Sequence, residues 1–359
     1  MMKKCIVTIT GIRPDFIRMK EVFRKLDAHF HHVMIHTGQH YDDALSKIFF
    51  DQLDIRRPDH TLETGRKSGT HYEQLSYLSR AIFELFARKK IRPDLILFLG
   101  DSHSVLVSAP LFKEGYRIGH IEGGMRSYDR RMPEEVNRVV CDYVSDCIFV
   151  YTPLYRKVLL RENIRPKVIH IVGNTITEIV RQYMPCGPRT KECIIADIHR
   201  NENLRSPDHY RHILRFISKL GEESQRPVKL VRFNRAIRMI ERHRLLQGLA
   251  NIEPIGPLGF VEYLQTQYHA LAVVSDSGTA QEEGPLLGVP VIVPRNCTER
   301  PESVTNGNSI LVGETGPLDA MVDASVDFIE EYRVGKKRIR WLGDGKSSQR
   351  IVDILRRTL

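Results

Sequence analysis

The pattern that most limits how this chain can fold is an alternation that runs twice. Short aliphatic or β-branched runs recur with helical stretches between them: Cys5–Thr10, His32–His36, Leu95–Leu99, Tyr116–Ile121, Cys147–Val150 and Val168–Val172. Met184–Arg189 (MPCGPR), with two prolines and a glycine, interrupts the series and reads as a hinge region. The series then restarts with Cys193–Ile198, Val228–Arg232, Asn251–Pro254, Leu271–Val274, Val289–Val293 and Ile310–Val312. Strands alternating with helices predict parallel sheets covered on both faces. The expected class is α/β: two doubly wound, Rossmann-like domains, which suits 359 residues. The domains are expected over 1–174 and 175–346, with an amphipathic helix in 347–359 packing back on the first.

In such sheets ligands bind beyond the carboxyl ends of the strands. The first series ends its strands in Arg13, Gln39, Asp101, Glu122 and Asn174. The second ends them in His199, Asp276-Ser277-Gly278, Arg295 and Arg300. Within Gly119–Arg138 (GHIEGGMRSYDRRMPEEVNR), Glu122 closes a strand before two glycines, and Glu134 follows a helix-starting Pro133. Acids and bases on one glycine-eased loop point to proton chemistry on a polar ligand. In Ser275–Pro290 a strand runs through Ser277-Gly278 directly into a helix with Glu282 and Glu283 in its first turns. Free N–H groups and the helix dipole there suit a phosphate.

Several classes are excluded. Gly11 stands alone without G-x-G-x-x-G, and there is no G-x-x-x-x-G-K-[ST], which argues against nicotinamide dinucleotides and Walker-type ATP binding. The six cysteines form no C-x-x-C pair and the fifteen histidines no H-E-x-x-H, so reduced thiols and no metal site are expected. His29, His31 and His32 read as a solvated run beside a turn. The net charge of +10 is spread without a basic block, which fits a small anionic ligand such as a nucleotide and not nucleic acid. No apolar run reaches the roughly 18 residues of a membrane span. The opening MMKKCIVTITG is too short in its apolar part for a signal sequence, so a cytoplasmic protein is expected.

Eight blocks, in order, resemble the non-hydrolysing UDP-N-acetylglucosamine 2-epimerases. They are TGIRPD (Thr10–Asp15), HTGQHYD (His36–Asp42), GDSHS (Gly100–Ser104), HIEGGMRS with MPEEVNR (His120–Arg138), VGN (Val172–Asn174), HRNEN (His199–Asn203), SDSGTAQEE (Ser275–Glu283) and TERPE (Thr298–Glu302). The resemblance implies a GT-B-like fold with the ligand in a cleft between the domains, UDP held mainly by the second, and a homodimer. It puts Asp101, Glu122, Glu134 and His199 on positions associated with catalysis. It puts Arg13 on a ligand-binding position, and Arg18 where relatives often carry lysine. Ser277, Gly278, Glu283 and Arg300 fall on UDP-binding positions and Tyr263 near the uracil. The chain departs from the family at Thr279, where D-S-G-G becomes D-S-G-T, and at Gly123, where E-A-G becomes E-G-G. It departs again at Ser102 in place of the G-D-T threonine, and at Phe233-Asn234-Arg235 in place of H-P-R.

The implied reaction is inversion at C2 of a UDP-2-acetamido sugar: UDP leaves C1, C2 loses its proton, and UDP adds back after reprotonation on the other face. It feeds surface-polysaccharide synthesis and requires no redox cofactor or metal. A hydrolysing relative that releases UDP and free sugar, or a non-catalytic nucleotide-sugar sensor, are the alternatives. The sugar could equally be a 6-deoxy or diacetamido one.

Overall fold

The computed structural model describes residues 3–38, 50, 52–64, 70–333, 335 and 338–359. Gln39 and the helix expected near Asp42 lie outside the described residues. The chain divides into two compact units, 1–179 with 342–359, and 180–341.

The first unit holds a seven-stranded parallel sheet. Its strands are β1 (Cys5–Thr10), β2 (His31–His36), β3 (His60–Thr61), β4 (Leu95–Leu99), β5 (Ile118–Ile121), β6 (Cys147–Val150) and β7 (Ile169–Ile171). Their order is β3-β2-β1-β4-β5-β6-β7, so the winding reverses between β1 and β4. Short β3, paired to β2 through Ile35 and His36, has no periodic signal in the sequence. The strand expected at Leu95–Leu99 is β4, wholly buried and at the middle of the sheet. The core joins Val7, Ile35, Ile96 and Phe98 to Leu78, Ile82 and Leu85 of the helix His71–Lys89. Thr70 starts that helix by accepting from Glu73 N, while Glu73 accepts from Thr70 N. The histidine run is not solvated throughout: His32 points inward from β2, bonded to Thr8 at 2.9 Å and Asp27 at 2.7 Å.

The helix Ser347–Thr358 belongs to this first unit. Ile351, Val352 and Leu355 are buried, Ser348 donates from its N and Oγ to Glu178, and Lys25 bonds Gln349 at 3.0 Å. Gly173, at φ 87°, makes room for it: a Cβ there would meet Ser347 Oγ at 2.9 Å.

The second unit holds a six-stranded parallel sheet: β8 (Cys193–Asp197), β9 (Val228–Val231), β10 (Ile252–Ile255), β11 (Ala270–Ser275), β12 (Val291–Val293) and β13 (Ser309–Leu311). The order is β10-β9-β8-β11-β12-β13, reversing between β8 and β11. Its own core packs Ile194, Val274 and Ile292 against Ile213, Phe216 and Ile217 of the helix Pro207–Glu223. Full burial of one such side chain is worth about 1.5–3 kcal/mol. The segment leading into β8 is fastened by Arg189, whose guanidinium donates to the carbonyls of Tyr268, Ala270 and Gly288. Among the described residues no helix is long and apolar enough to cross a membrane.

Candidate functional site

Each sheet collects its polar residues where its winding reverses, the place where neighbouring crossovers diverge and leave strand ends uncovered. In the first unit Gly11, after β1, faces Ser102 and Ser104, after β4; a Cβ on Gly11 would meet Ser104 Oγ at 2.1 Å. Half-buried Arg13 opens the helix Arg13–His29, and Asp15 caps it by accepting from Gly11 N at 2.7 Å and Ile12 N at 3.1 Å. Burial pushes the Asp15 carboxyl up to about 7, outweighing those donors, with Asp101 and Glu122 adding to the rise.

Glu122 follows β5 with φ 74°, a left-handed conformation whose strain costs a non-glycine residue roughly 1–3 kcal/mol. Its Oε2 accepts from Arg18 Nη1 at 2.8 Å and Tyr151 OH at 3.3 Å; both Glu122 and Arg18 are buried. The same Oε2 lies 3.8 Å from the Cβ position of Gly100, the residue before Asp101.

The helix Pro133–Val144 binds these pieces together. From it Arg138 pairs with the Asp101 carboxylate, and Asn137 Nδ2 donates to Asp101 O at 2.9 Å. Asp142 accepts from Gly124 N at 3.1 Å. Its first turn carries both acids, with different environments. Glu135 is buried and accepts from Ser127 N, Ser127 Oγ and Tyr128 N, folding the loop onto the helix. Glu134 is half-buried, and its carboxylate has no protein partner among the described residues. Asp101, Glu122 and Glu134 are thus gathered on one rigid block. Asn174, three residues past β7, accepts from Ile176 N through its Oδ1 at 3.0 Å, while its buried Nδ2 has no hydrogen-bond partner among the described residues.

In the second unit Asp197 ends β8 and Asp276 follows β11, next to each other across the reversal. His199 Nδ1 donates to Asp197 at 2.7 Å and lies 3.4 Å from Asp276. Burial pulls the imidazole pKa down, but the two carboxylates outweigh it and push it up to about 9. Phe233 lies against the ring, centroids 4.6 Å apart. That leaves Nε2, without a protein partner among the described residues, as an open cationic donor on a side chain one-third exposed. Asp197, His199 and Asp276 have the spacing of a metal site, with ligand atoms within 4.8 Å. The donors do not fit that role. Asp276 is already taken by His199 N, Arg200 N and Asn203 Nδ2, and Asp197 by the Tyr263 hydroxyl.

Tyr263 joins this cluster through its hydroxyl, which donates to Asp197 Oδ2 at 2.9 Å and which burial, Asp197 and Glu283 hold well above its ordinary pKa. Ser277, Gly278 and Thr279 lead from β11 into the helix Ala280–Leu287, with Thr279 at its N-cap and no side-chain cap bond. Arg300 is buried over Gly278, where a Cβ would meet its Nη1 at 2.0 Å; only glycine fits there. Glu282 takes Arg300 Nε and Glu299 takes Nη1, each at 2.8 Å. Glu283 is buried and accepts from Gln267 at 2.9 Å. Sequence reasoning missed Asp15, His120, Asp142, Tyr151 and Asp197. His120, Tyr151 and Asp197 lie within or one residue from strands the sequence marked out, so strand-end position was the available signal for these three; Asp15 and Asp142 lie on helices.

The family model described as UDP-N-acetylglucosamine 2-epimerase matches residues 24–356. The UDP-N-acetylglucosamine 2-epimerase of Methanocaldococcus jannaschii is 33% identical, with 97% of each chain covered. The UDP-2,3-diacetamido-2,3-dideoxy-D-glucuronate 2-epimerase of Pseudomonas aeruginosa is 32% identical, with 98% of this chain and 99% of that one covered. Among solved structures, the Methanocaldococcus jannaschii UDP-GlcNAc 2-epimerase in complex with UDP-GlcNAc and UDP superimposes with a TM-score of 0.89. Its identity is 32%, over 98% of this chain and 99% of that one.

Proposed function

Because the chain belongs to the UDP-N-acetylglucosamine 2-epimerase family, with its GT-B-like pair of parallel-sheet units, we propose that it inverts C2 of a UDP-2-acetamido sugar without net hydrolysis. The observation that carries this is the rigid block around the helix Pro133–Val144, where three carboxylates sit in three environments: Asp101 paired with Arg138, Glu122 with Arg18 and Tyr151, and Glu134 open. A nucleotide-sugar binder needs a phosphate cradle but no such set.

The C2 proton of a sugar is not acidic until the bond from C1 to the UDP oxygen breaks and charge develops at C1. As that bond breaks, one carboxylate takes the C2 proton, giving a 2-acetamidoglucal and UDP. Protonation of C2 on the opposite face, with return of the UDP oxygen to C1, completes the epimer. Carboxylates in unlike environments suit the separate acid and base roles. Asp101, Glu122 and Glu134 share the proton transfers, with Arg18 and Arg13 assisting on the sugar side. The His199 imidazolium offers Nε2 to the departing diphosphate, where charge develops. Ser277, Gly278 and Thr279 offer the start of the helix Ala280–Leu287 to the phosphates. Arg300, held by Glu282 and Glu299, supplies a preset guanidinium, while Glu283 and Tyr263 serve the nucleoside.

The sugar is UDP-N-acetylglucosamine or a deoxy or diacetamido relative, destined for surface polysaccharide, in the cytoplasm. A homodimer is supported by Phe112, Val136 and Tyr143, which stand exposed on the packed helices Ser108–Lys113 and Pro133–Val144. The test is to incubate protein with UDP-N-acetylglucosamine and follow both epimer and free UDP. The proposal expects the manno epimer at equilibrium with no accumulating UDP; stoichiometric UDP release would identify the hydrolysing reaction instead.

A further inference from the structure

His120, the third residue of β5, is wholly buried and stands at the centre of the first unit's site without any part in the steps above. Its Nδ1 lies 2.7 Å from Asp142 Oδ1 and its Nε2 2.8 Å from the carbonyl oxygen of Gly100. A carbonyl oxygen can only accept, and so can an ionised carboxylate. A neutral imidazole has one N–H, and its bare nitrogen would then face an oxygen lone pair at hydrogen-bond distance. The charge count agrees. Arg126 pairs with Asp142 at 2.8 Å and with Glu162 at 2.7 Å, so with His120 protonated two cations meet two anions. With His120 neutral the set, three of whose members are buried, would be left one negative charge in excess.

We propose that His120 is a positioning residue, a standing imidazolium that locks the Gly100–Asp101 turn to the Glu122–Gly124 loop. Both sides of the lock are visible. Gly100 N also donates to Ile121 O at 3.0 Å, closing the turn onto β5, and Asp142 Oδ2 holds Gly124 N. One ring therefore sets the separation of two carboxylates carried by different strands. Burial opposes the charge, but Asp142 and the neighbouring Cys141 outweigh it and hold the imidazole well above its ordinary pKa. Of the other charged groups nearby, Asp101 is paired with Arg138. The charge state stands on geometry alone; its consequence for turnover rests on the proposed function.

The experiment uses the full chain with 15N-labelled histidine and long-range proton–nitrogen NMR, with His120 assigned by the signals lost in His120→Gln. Both ring nitrogens should keep protonated shifts from pH 6 to pH 9. A bare nitrogen signal at neutral pH overturns the proposal. Asp142→Asn, which removes the counter-charge, should bring the His120 titration down into that range, and an unmoved titration also overturns it. This second variant keeps the test decisive if His120→Gln does not fold. In kinetics His120→Gln should lower kcat about 10- to 100-fold, as a displacement near 1 Å does, while UDP affinity stays within two-fold. Turnover within two-fold of wild type refutes the positioning role. Wild-type protein inert towards every UDP-acetamido sugar would instead sink the functional reading and leave the NMR result intact.

Discussion

Gly123 is where the chain replaces the alanine of E-A-G, and the structure turns that replacement into a quantitative expectation for Gly123→Ala. A Cβ there would lie 2.3 Å from Ile148 Cγ2 and 2.6 Å from Asp142 Oδ1. Ordinary contact requires Asp142 to retreat by about 0.8 Å. Asp142 cannot do so freely, because His120, Gly124 N and Arg126 all hold it. The same retreat stretches the 2.7 Å bond to His120 to the limit of hydrogen bonding. Overpacking costs about 1–3 kcal/mol, and weakening a charged hydrogen bond adds about 1.5–3 kcal/mol. A total of roughly 2.5–6 kcal/mol, in a unit of roughly 200 residues, lowers Tm by about 5–24 °C. Calorimetry of the full chain reads the shift, and turnover should fall with it as the Gly100–Asp101 turn loosens. A Tm within 1 °C of wild type with unchanged turnover would show that Gly123 is not packed against the His120–Asp142 pair.

Glu122→Gln should lower turnover by about 10²–10⁴-fold while calorimetry shows UDP affinity nearly unchanged; a variant with half the wild-type rate removes Glu122 from the chemistry. His199 titrates near 9 in the folded chain against about 6.5 unfolded, so the stability it contributes is complete below about pH 6.5 and lost as pH climbs through about 9. UDP affinity should weaken over the same alkaline window, and His199→Gln should flatten that limb; an identical limb in the variant assigns it to another group. Thr279→Gly should change the ratio of kcat/KM between UDP-N-acetylglucosamine and a 6-deoxy analogue by about 10–200-fold at most, and an unmoved ratio makes Thr279 a purely structural N-cap.

The sheets were legible because buried parallel strands are nearly pure aliphatic runs, as LILFL and CIVTIT show. Two-residue β3 carries no period, and only its ladder with β2 defines it. The histidine run misled because His29, His31 and His32 look polar in sequence, while the pleat and Asp27 make His32 an interior residue. At the candidate site, strand-end position picked out Asp101, Glu122 and His199, which the structure places beside the reversals of the two sheets. It could not find Asp142, ten residues further along the helix that begins next to Met132, nor the division of labour between Glu134 and Glu135. Adjacent residues on a helix point about 100° apart, so one acid turns into the Ser127–Tyr128 backbone and the other away from it. Nor could the sequence show that Arg300 comes already held by Glu282 and Glu299, a contact made only in three dimensions.

The central claim is that the C2–H bond breaks and re-forms while UDP leaves and returns. NMR of UDP-N-acetylglucosamine incubated with the protein in deuterated water tests it directly. The account predicts deuterium at C2 in the manno product and, as the reaction reverses, in recovered substrate, with UDP-sugar conserved. Epimer that forms with protium retained at C2, or substrate unchanged in both configuration and isotope, would contradict it.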